Sequence, residues 1–307
     1  MIVFRSDLAP QTGLRPLRRC AWLAALLKKG NDVLLCSRED KKAAKFLAER
    51  NLPARFVKDP AALDLGEVKA LIFDLDAFSP ADIALLEKAR QAGIKTVQIL
   101  GSENAGQTID IGVFGAGSAL LHHKFRHFNT VRRKYRKKIR NIFVNMGDLL
   151  PYRDLRAIVD TLHRLRFNMK IAPGLNLKKA DKRNLMKIYP GSHFCGRSES
   201  PARAYFEADL ALVPPGEEAW EAACVGTPAL YMPLERGQVV RAEERAGLGL
   251  GGKVPALADW SVQAMRGAIE PLTPELREKM GAAGKALVDG LGVQRFFTIL
   301  KEKGIIV

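Results

Sequence analysis

The feature that most constrains the fold is a series of alternating strand-like and helix-like segments that occurs twice along the chain. In the first series the apolar runs MIVFRS, DVLLCS, ALIFDLD and KTVQIL alternate with LRRCAWLAALLKKG, EDKKAAKFLAERN and PADIALLEKARQAG, whose apolar residues recur at helical spacing. Parallel strands need crossover helices, and these crossovers are nearly always right-handed. The first series therefore predicts an open, doubly wound α/β sheet.

A second series of the same kind follows a strongly basic stretch. Its strand-like runs are NIFVNMG, NMKIAPG, SHFCG, ADLALVPP and PALYMPL. The repetition predicts two Rossmann-like domains, at 1–130 and 131–290, and a C-terminal segment, 291–307, that packs back on the first domain. Because open α/β sheets bind ligands beyond the carboxyl ends of their strands, we expect a site in a cleft between the two domains.

The charge of the chain indicates an acidic partner. The 307 residues carry a formal net charge of +16, and much of the excess lies in HHKFRHFNTVRRKYRKKIRN at 122–141. Nucleotide diphosphates, nucleic acids, acidic acceptors and membrane surfaces all fit such an excess, and charge alone does not choose between them. We expect this run to form an exposed linker and helix, with no specific nucleic-acid partner.

Several other classes of protein are disfavoured. The sequence has neither a long apolar run nor the pattern of a secretory signal, so the expected location is cytoplasmic. Four cysteines are scattered without a CxxC pair or a histidine at metal spacing: Cys20, Cys36, Cys195 and Cys224. This arrangement argues against a zinc site and a disulfide framework, so no metal and no cofactor is expected.

Three segments together resemble one family. They are FRSDLAPQTGLRPLRR at 4–19, GSALLHHKF at 117–125 with IFVNMGD at 142–148, and ADLALVPPGEEAWEAACVGTPALYMPLERGQ at 208–238. In order and spacing they resemble the nucleotide-sugar hydrolase of pseudaminic acid biosynthesis and its spore-coat-polysaccharide relatives, which are similar to the transferase that makes lipid II. The resemblance implies a GT-B fold and a nucleotide-sugar partner, most simply a UDP-sugar, in surface or flagellar glycan synthesis.

The resemblance also implies a set of site residues. In the opening segment the family pattern is matched by Arg5, Asp7, Gln11, Gly13 and Arg18. The substrate-binding positions are predicted to be Arg5, Gly13, Arg15, Arg18, Gly147, Glu221 and Gln238. Among them Gly147 belongs to the Met-Gly loop, Glu221 to the position that receives the ribose hydroxyls, and Gln238 to a position near the sugar.

The chain departs from the family at its catalytic turn. The family places a histidine after the second glycine as acid/base, whereas this chain has Arg15 and Pro16 at the corresponding positions. Arginine stays protonated and proline carries no side-chain proton, so neither replaces the histidine. Asp7 and Asp74 are the remaining candidate bases, although carboxylates at such strand ends also commonly cap local backbone N–H groups.

The nucleotide segment carries a similar departure. Where Gly-Gly-Ser-Thr is usual, this chain has Pro215, Gly216, Glu217 and Glu218. Two carboxylates at a helix start interact favourably with the helix dipole, by roughly 0.3–1 kcal/mol each, yet they occupy the place where a diphosphate would bind. Both a nucleotide site and a well-capped helix without phosphate fit this pattern.

Three functions therefore remain open from the sequence. The first is an enzyme, a UDP-sugar hydrolase or glycosyltransferase, favoured by the family resemblance. The second is a catalytically inactive binding or scaffold protein of the same fold, favoured by Pro16, by Leu75 in place of a family histidine, and by the Glu217 and Glu218 pair. The third is a nonspecific nucleic-acid binder, favoured by the charge and by aromatic residues interleaved with basic ones.

Overall fold

A computed structural model describes residues 1–8, 13–99, 109–113, 115–148, 150–172, 174, 177–196 and 200–306. The chain divides into two compact units, Met1–Leu120 with Val293–Val307, and Leu121–Gly292. The sequence predicts a division at 130/131, ten residues further along the chain than this one. Gln11, one of the residues that match the family pattern, lies outside the described residues.

The first unit is built on a parallel sheet of six strands in the order β3-β2-β1-β4-β5-β6. Its strands are β1 Ile2–Ser6, β2 Val33–Arg38, β3 Ala54–Val57, β4 Ala70–Asp74, β5 Lys95–Ile99 and β6 Ile111–Val113. Its first three helices are α1 Arg15–Leu27, α2 Lys41–Ala48 and α3 Pro80–Gln91. Since every residue of β1 and β4 is buried, these two strands form the middle of the unit, with Ser6 opposite Asp74.

The second unit repeats this architecture with the strand order β12-β11-β10-β7-β8-β9. The strands are β7 Asn141–Val144, β8 Asn168–Ile171, β9 Ser192–Phe194, β10 Leu210–Val213, β11 Ala229–Tyr231 and β12 Gly251–Lys253. The helices are α4 His123–Thr130, α5 Tyr152–Arg164, α6 Lys179–Ile188, α7 Pro201–Glu207, α8 Glu217–Cys224, α9 Val239–Gly247, α10 Val262–Ile269 and α11 Pro274–Leu287. Two doubly wound parallel sheets confirm the predicted α/β class.

The C-terminal helix α12, Gly292–Glu302, belongs to the first unit. Val293, Phe296 and Leu300 lie in the same buried cluster as residues of β1 and α1, and Ile305 joins them. The spacing of three and four residues places these side chains on one face of the helix. An apolar stripe therefore anchors the end of the chain to the first core.

Helix α4 belongs to the second unit, although the predicted boundary assigned it to the first. The ring of Phe128 lies 4.9 Å from that of Phe206, and the Asn129 side chain donates a hydrogen bond of 2.9 Å to the Cys224 carbonyl. The basic run hid this attachment, because its inward-facing residues are separated by exposed charges.

Three strands are absent from the strand-like runs identified in the sequence, and all three are edge strands of their sheets. β3 and β6 are short, and β12, Gly251–Lys253, begins with two glycines, which are uncommon in strands. A methyl group on Gly251 would lie 2.0 Å from the Ala229 carbonyl oxygen. The glycine is therefore needed for close pairing of β12 with β11.

None of the helices in the described part of the chain has both the length and the apolar composition that crossing a bilayer requires.

Candidate functional site

Both sheets have the strand order in which a ligand site forms where the order reverses, at the carboxyl ends of the two central strands. In the first unit this position lies between β1 and β4, and in the second between β7 and β10. Asp7 and Asp74 lie at the first position, and Gly147 and the start of α8 lie at the second. The topology thus brings most of the predicted residues to two comparable edges.

At the first edge, Asp7 is held by arginine. Arg5 forms two hydrogen bonds with its carboxylate, one of them from Nη2 at 2.6 Å, and the backbone N–H of Arg38 adds a third at 2.7 Å. Burial on its own would raise the pKa of Asp7, but hydrogen bonds and charge from Arg5 and Arg38 outweigh it and hold the pKa below the ordinary value. This environment favours a charged carboxylate that binds protons weakly.

Arg5 makes a further contact at this edge. Its side chain is fully buried, and its Nε donates a hydrogen bond of 2.9 Å to Asp82. Asp82 in turn closes the capping box of α3 with Ser79, each accepting from the other's backbone N–H. The Arg5 guanidinium therefore joins the end of β1 to the start of α3, and this geometry does not present it to a substrate phosphate.

Asp74 forms a second buried pair. Nε and Nη2 of Arg19 donate hydrogen bonds of 2.7 Å to its two carboxylate oxygens, and the Cys20 thiol lies 3.6 Å away. Only 1% of Asp74 and 9% of Arg19 is exposed. A bidentate pair of this kind orients a carboxylate and blocks its approach to a substrate.

The entry turn keeps a special backbone conformation. Gly13 has φ of +68°, in the left-handed region that glycine adopts at little cost. Pro16 is buried near the start of α1, Arg15 is half-buried, and Arg18 is exposed. Arg19, which shares the buried face of α1 with Leu23 and Leu27, reaches the carboxylate of Asp74 at the end of β4.

Sequence reasoning missed Arg19, Arg38 and Asp82 as partners at this edge. For Arg19 a signal existed, because it lies at helical spacing from Leu23 and Leu27 and so on the buried face. For Asp82 the signal was the Ser-Pro-x-Asp start of α3, which is typical of a capping box. Nothing local predicts that Nη2 of Arg38, at the end of β2, donates a hydrogen bond of 3.3 Å to Asp82 in α3.

At the second edge, the loop after β7 is shaped by glycine. Gly147 has φ of +82°, and a methyl group on Gly174 would lie 2.8 Å from the Asp148 carbonyl oxygen and 3.0 Å from that of Gly147. Two chain segments therefore approach closely beside the carboxyl end of the second sheet. Such glycine-dependent loops let backbone groups come near a ligand.

Glu221 lies beside this loop. The Asn145 side chain donates a hydrogen bond of 2.9 Å to the Tyr205 hydroxyl and one of 3.4 Å to Glu221 Oε2. Tyr205 is fully buried and packs edge-on against Phe143, with ring centroids 4.6 Å apart. The Asn145 amide, itself fixed by Tyr205, thus orients the Glu221 carboxylate. Glu221 is half-buried, so part of its surface stays exposed.

The start of α8 carries the two glutamates noted in the sequence. Gly216 is the residue before the helix, Glu217 is half-buried and Glu218 is 1% exposed. Their charges lie in the first turn, where the positive end of the helix dipole favours them. The helix dipole accounts for acidic residues in this turn, and their negative charge makes this helix start an unfavourable place for a phosphate.

Helices α8 and α9 are joined by an arginine stacked on an aromatic ring. The Arg245 guanidinium carbon lies 3.7 Å from the centre of the Trp220 ring, and burial lowers the arginine's pKa. Nearby, Gln238 Oε1 accepts a hydrogen bond of 3.0 Å from the Leu234 N–H and so closes the loop that leads into α9. The half-buried Gln238 thus has a structural contact in addition to its predicted sugar contact.

The comparisons identify the fold. No family model and no curated protein matches the sequence. Among solved structures, MurG of Acinetobacter baumannii is 14% identical with a TM-score of 0.68, over 98% of this chain and 99% of that one. The spinosyn rhamnosyltransferase SpnG complexed with thymidine diphosphate is 14% identical with a TM-score of 0.66, over 97% and 100% of the two chains.

A third similar structure is the UDP-GlcNAc 2-epimerase of Neisseria meningitidis bound to UDP-GlcNAc. It is 13% identical with a TM-score of 0.60, over 98% of this chain and 100% of that one. At such identities the likeness concerns the fold. The chain has the GT-B fold that glycosyltransferases and UDP-GlcNAc 2-epimerases share, as the sequence predicted.

Proposed function

We propose that this chain binds a nucleoside diphosphate sugar, with a uridine nucleotide preferred, through the carboxyl edge of its second sheet. The observation that carries the proposal is Glu221, held by Asn145 beside the Gly147 loop. A fixed carboxylate with exposed area suits the two vicinal hydroxyls of a ribose, because each of its oxygens can accept a hydrogen bond. The nucleotides named with SpnG and the Neisseria epimerase support the same ligand class.

We further propose that binding occurs without efficient hydrolysis. Departure of a nucleoside diphosphate from a sugar needs a base for the attacking water or acceptor. The two candidate bases, Asp7 and Asp74, are each paired with arginine at the first edge, which favours the inactive-scaffold alternative over the enzyme. A role in surface or flagellar glycan synthesis rests on the family resemblance. Gly13, Arg15 and Arg18 remain predicted contacts for an anionic ligand.

Calorimetry on the whole chain tests the binding proposal. UDP, dTDP, CMP and GDP are compared, and UDP is expected to bind most tightly. Glu221→Ala should weaken UDP binding by about 1–3 kcal/mol, the scale for hydrogen bonds to a charged group. Glu207→Ala is the matched control, because this exposed glutamate pairs with Arg203 and Lys170 at the amino edge of the same unit. Absence of nucleotide binding at millimolar concentration would remove the proposal.

Release of UDP from the pseudaminic-pathway UDP-sugar tests the second part. The unmodified chain is expected to show negligible turnover. The double variant Arg15→Gly with Pro16→His restores both the second glycine and the histidine of the family pattern, so it is the variant in which hydrolysis is expected to appear. Robust turnover by the unmodified chain would show that another residue acts as base, and Asp7→Asn and Asp74→Asn would then separate the candidates.

A further inference from the structure

The second half of the basic run is an ordered strap on the second unit, defined here as residues 131–140. Arg133 crosses the C-terminal end of α7, where its Nη1 donates hydrogen bonds to the Phe206 carbonyl at 2.8 Å and to the Thr227 hydroxyl at 3.0 Å, and its Nη2 donates to the Ala208 carbonyl. A guanidinium here satisfies carbonyls that the helix leaves without partners. Burial lowers the pKa of Arg133 to about 10, as expected for a cation enclosed by the fold.

Further contacts hold the strap along its length. The Tyr135 hydroxyl donates to the Gly226 carbonyl at 2.9 Å, and the Arg136 guanidinium lies 3.1 Å from Asp209. The buried Arg277 donates to the Arg136 carbonyl. Because residues 133 and 135 point inward, the alternation of an extended segment leaves Arg132 and Lys134 exposed on its outer side.

The strap ends in a cationic recess at the amino edge of the second sheet, opposite to the proposed nucleotide site. The recess has a volume of about 620 Å³ and is lined by Arg136, Lys137, Lys138, Arg140, Asn141 and Asn168. Asp209, the nearby acid, is buried and already accepts hydrogen bonds from Arg136 and from the backbone N–H groups of Arg140 and Asn141. Within the described residues, no side-chain hydrogen bond or ion pair engages Lys137, Lys138 or Arg140.

Apolar surface lies next to this charge. A second recess, of about 310 Å³, shares Asn141 and Asn168 with the first. Its lining includes the apolar Ile142, Met169, Ala204 and Ala208 together with Lys170, His193 and Glu207. Helix α6 ends at the same edge. Gly191, three residues after the helix, accepts a hydrogen bond from the N–H of Met169 near the start of β8. In its last turn Met186 and Ile188 are 40% and 41% exposed. Exposed cationic and apolar side chains therefore both occur at the amino edge of the second sheet.

The aromatic residues of the basic run point away from this surface. Phe125 is 4% exposed and packs near Tyr205, Phe128 packs on Phe206, and the Tyr135 hydroxyl is bonded inside the unit. Binding of single-stranded nucleic acid commonly uses exposed aromatic rings on which bases stack. The aromatic residues that favoured nucleic acid in the sequence are thus part of the packing.

We propose that the outer side of the strap and the recess at its end form a docking surface for a membrane rich in anionic phospholipid. Lysine and arginine side chains attract the phosphates of such a surface, and exposed apolar side chains beside them suit the boundary with the acyl chains. The attraction acts within about one Debye length, so it weakens as salt is added.

The test is co-sedimentation of the whole chain with vesicles of phosphatidylcholine, either alone or with phosphatidylglycerol. The recess variant carries Lys137→Gln, Lys138→Gln and Arg140→Gln. The control variant carries Lys41→Gln, Lys42→Gln and Lys45→Gln, which remove the same charge from exposed positions on α2. Thermal unfolding of both variants is measured alongside, and no change is expected because all six side chains are exposed.

The unmodified chain should bind the anionic vesicles, bind phosphatidylcholine alone far less, and dissociate at high salt. In the recess variant the partition coefficient should fall roughly tenfold to a hundredfold, whereas the control variant should retain most of its binding. Equal loss in both variants would mean that only net charge matters, and would overturn the proposal, as would failure of the unmodified chain to bind. Tighter binding of a DNA duplex at the same salt, lost in the recess variant, would assign the surface to nucleic acid instead.

Discussion

The two sheets have the same strand order, yet the carboxyl edges at their reversal points differ in chemistry. At the first edge the carboxylates of Asp7, Asp74 and Asp82 are each bonded to an arginine. At the second edge Glu221 accepts a longer hydrogen bond, of 3.4 Å, from the neutral Asn145 amide and is half-buried. The comparison teaches that one topology can place different chemistry at the same position in its two units.

The largest effect is expected from breaking the buried pair of Arg19 and Asp74 at the first edge. Arg19→Met leaves Asp74 buried without its bidentate partner, and we expect the free energy of unfolding to fall by about 3–5 kcal/mol. Chemical unfolding at pH 7 measures the change. The control is Arg18→Met, at the exposed neighbouring position, with an expected change within about 0.5 kcal/mol.

A second variant separates loss of the pair from loss of packing. The double change Arg19→Met with Asp74→Leu removes both charges and should recover most of the lost stability, because no uncompensated charge remains. A small effect of Arg19→Met alone would contradict the stabilising role assigned to this edge.

A smaller effect on the free energy of unfolding is expected from Asp7→Asn, and it should depend on pH. Asp7→Asn should lower the free energy of unfolding at pH 7 by about 1–3 kcal/mol, since charge-assisted hydrogen bonds are lost. Because the folded pKa of Asp7 is lowered, its stabilisation is fully present above its unfolded pKa of about 3.9 and is lost as pH falls through the folded value. The difference between the variant and the unmodified chain should therefore shrink below about pH 4.

Unfolding curves at pH 7, 5, 4 and 3 measure this dependence, with Asp32→Asn as an exposed control. A difference that stays constant down to pH 3 would show that the Asp7 carboxylate does not contribute through its charge.

The smallest effect concerns the second edge. Gln238→Ala removes the acceptor of the Leu234 N–H, so we expect a loss of about 0.5–1.5 kcal/mol in stability. If Gln238 also contacts the sugar, affinity for a UDP-sugar should fall while affinity for UDP stays unchanged. Calorimetry with both ligands distinguishes the two contacts, and the exposed Gln263→Ala serves as control. Equal loss for UDP and the UDP-sugar would place the effect in the loop rather than at the sugar.

The sequence predicts which candidate residues lie near strand ends, but it does not predict the partners of those residues. Asp7, Asp74 and Gly147 lie at or shortly after the carboxyl ends of strands, which are visible in the sequence as the ends of apolar runs. Glu221 lies in α8, the helix that follows β10, and its predicted role came from the family resemblance. The pairing of Asp74 with Arg19 joins residues 55 apart in the chain, and Arg5 reaches Asp82 over 77. Patterns within a short stretch of sequence carry no information about pairs this far apart in the chain.

What the sequence by itself determined is the α/β class with its two successive sheets, because hydrophobic periodicity and the handedness of crossovers are local properties of the chain. Only the tertiary structure decided which charges are used inside the molecule. The spacing of Arg19 predicts a buried helix face but not its bond to Asp74, and nothing in the sequence separates Arg133, which caps α7, from Lys137 and Lys138, which remain exposed. The physical reason is that the energy of a charge depends on its burial and its partners, and both are set by segments distant in sequence.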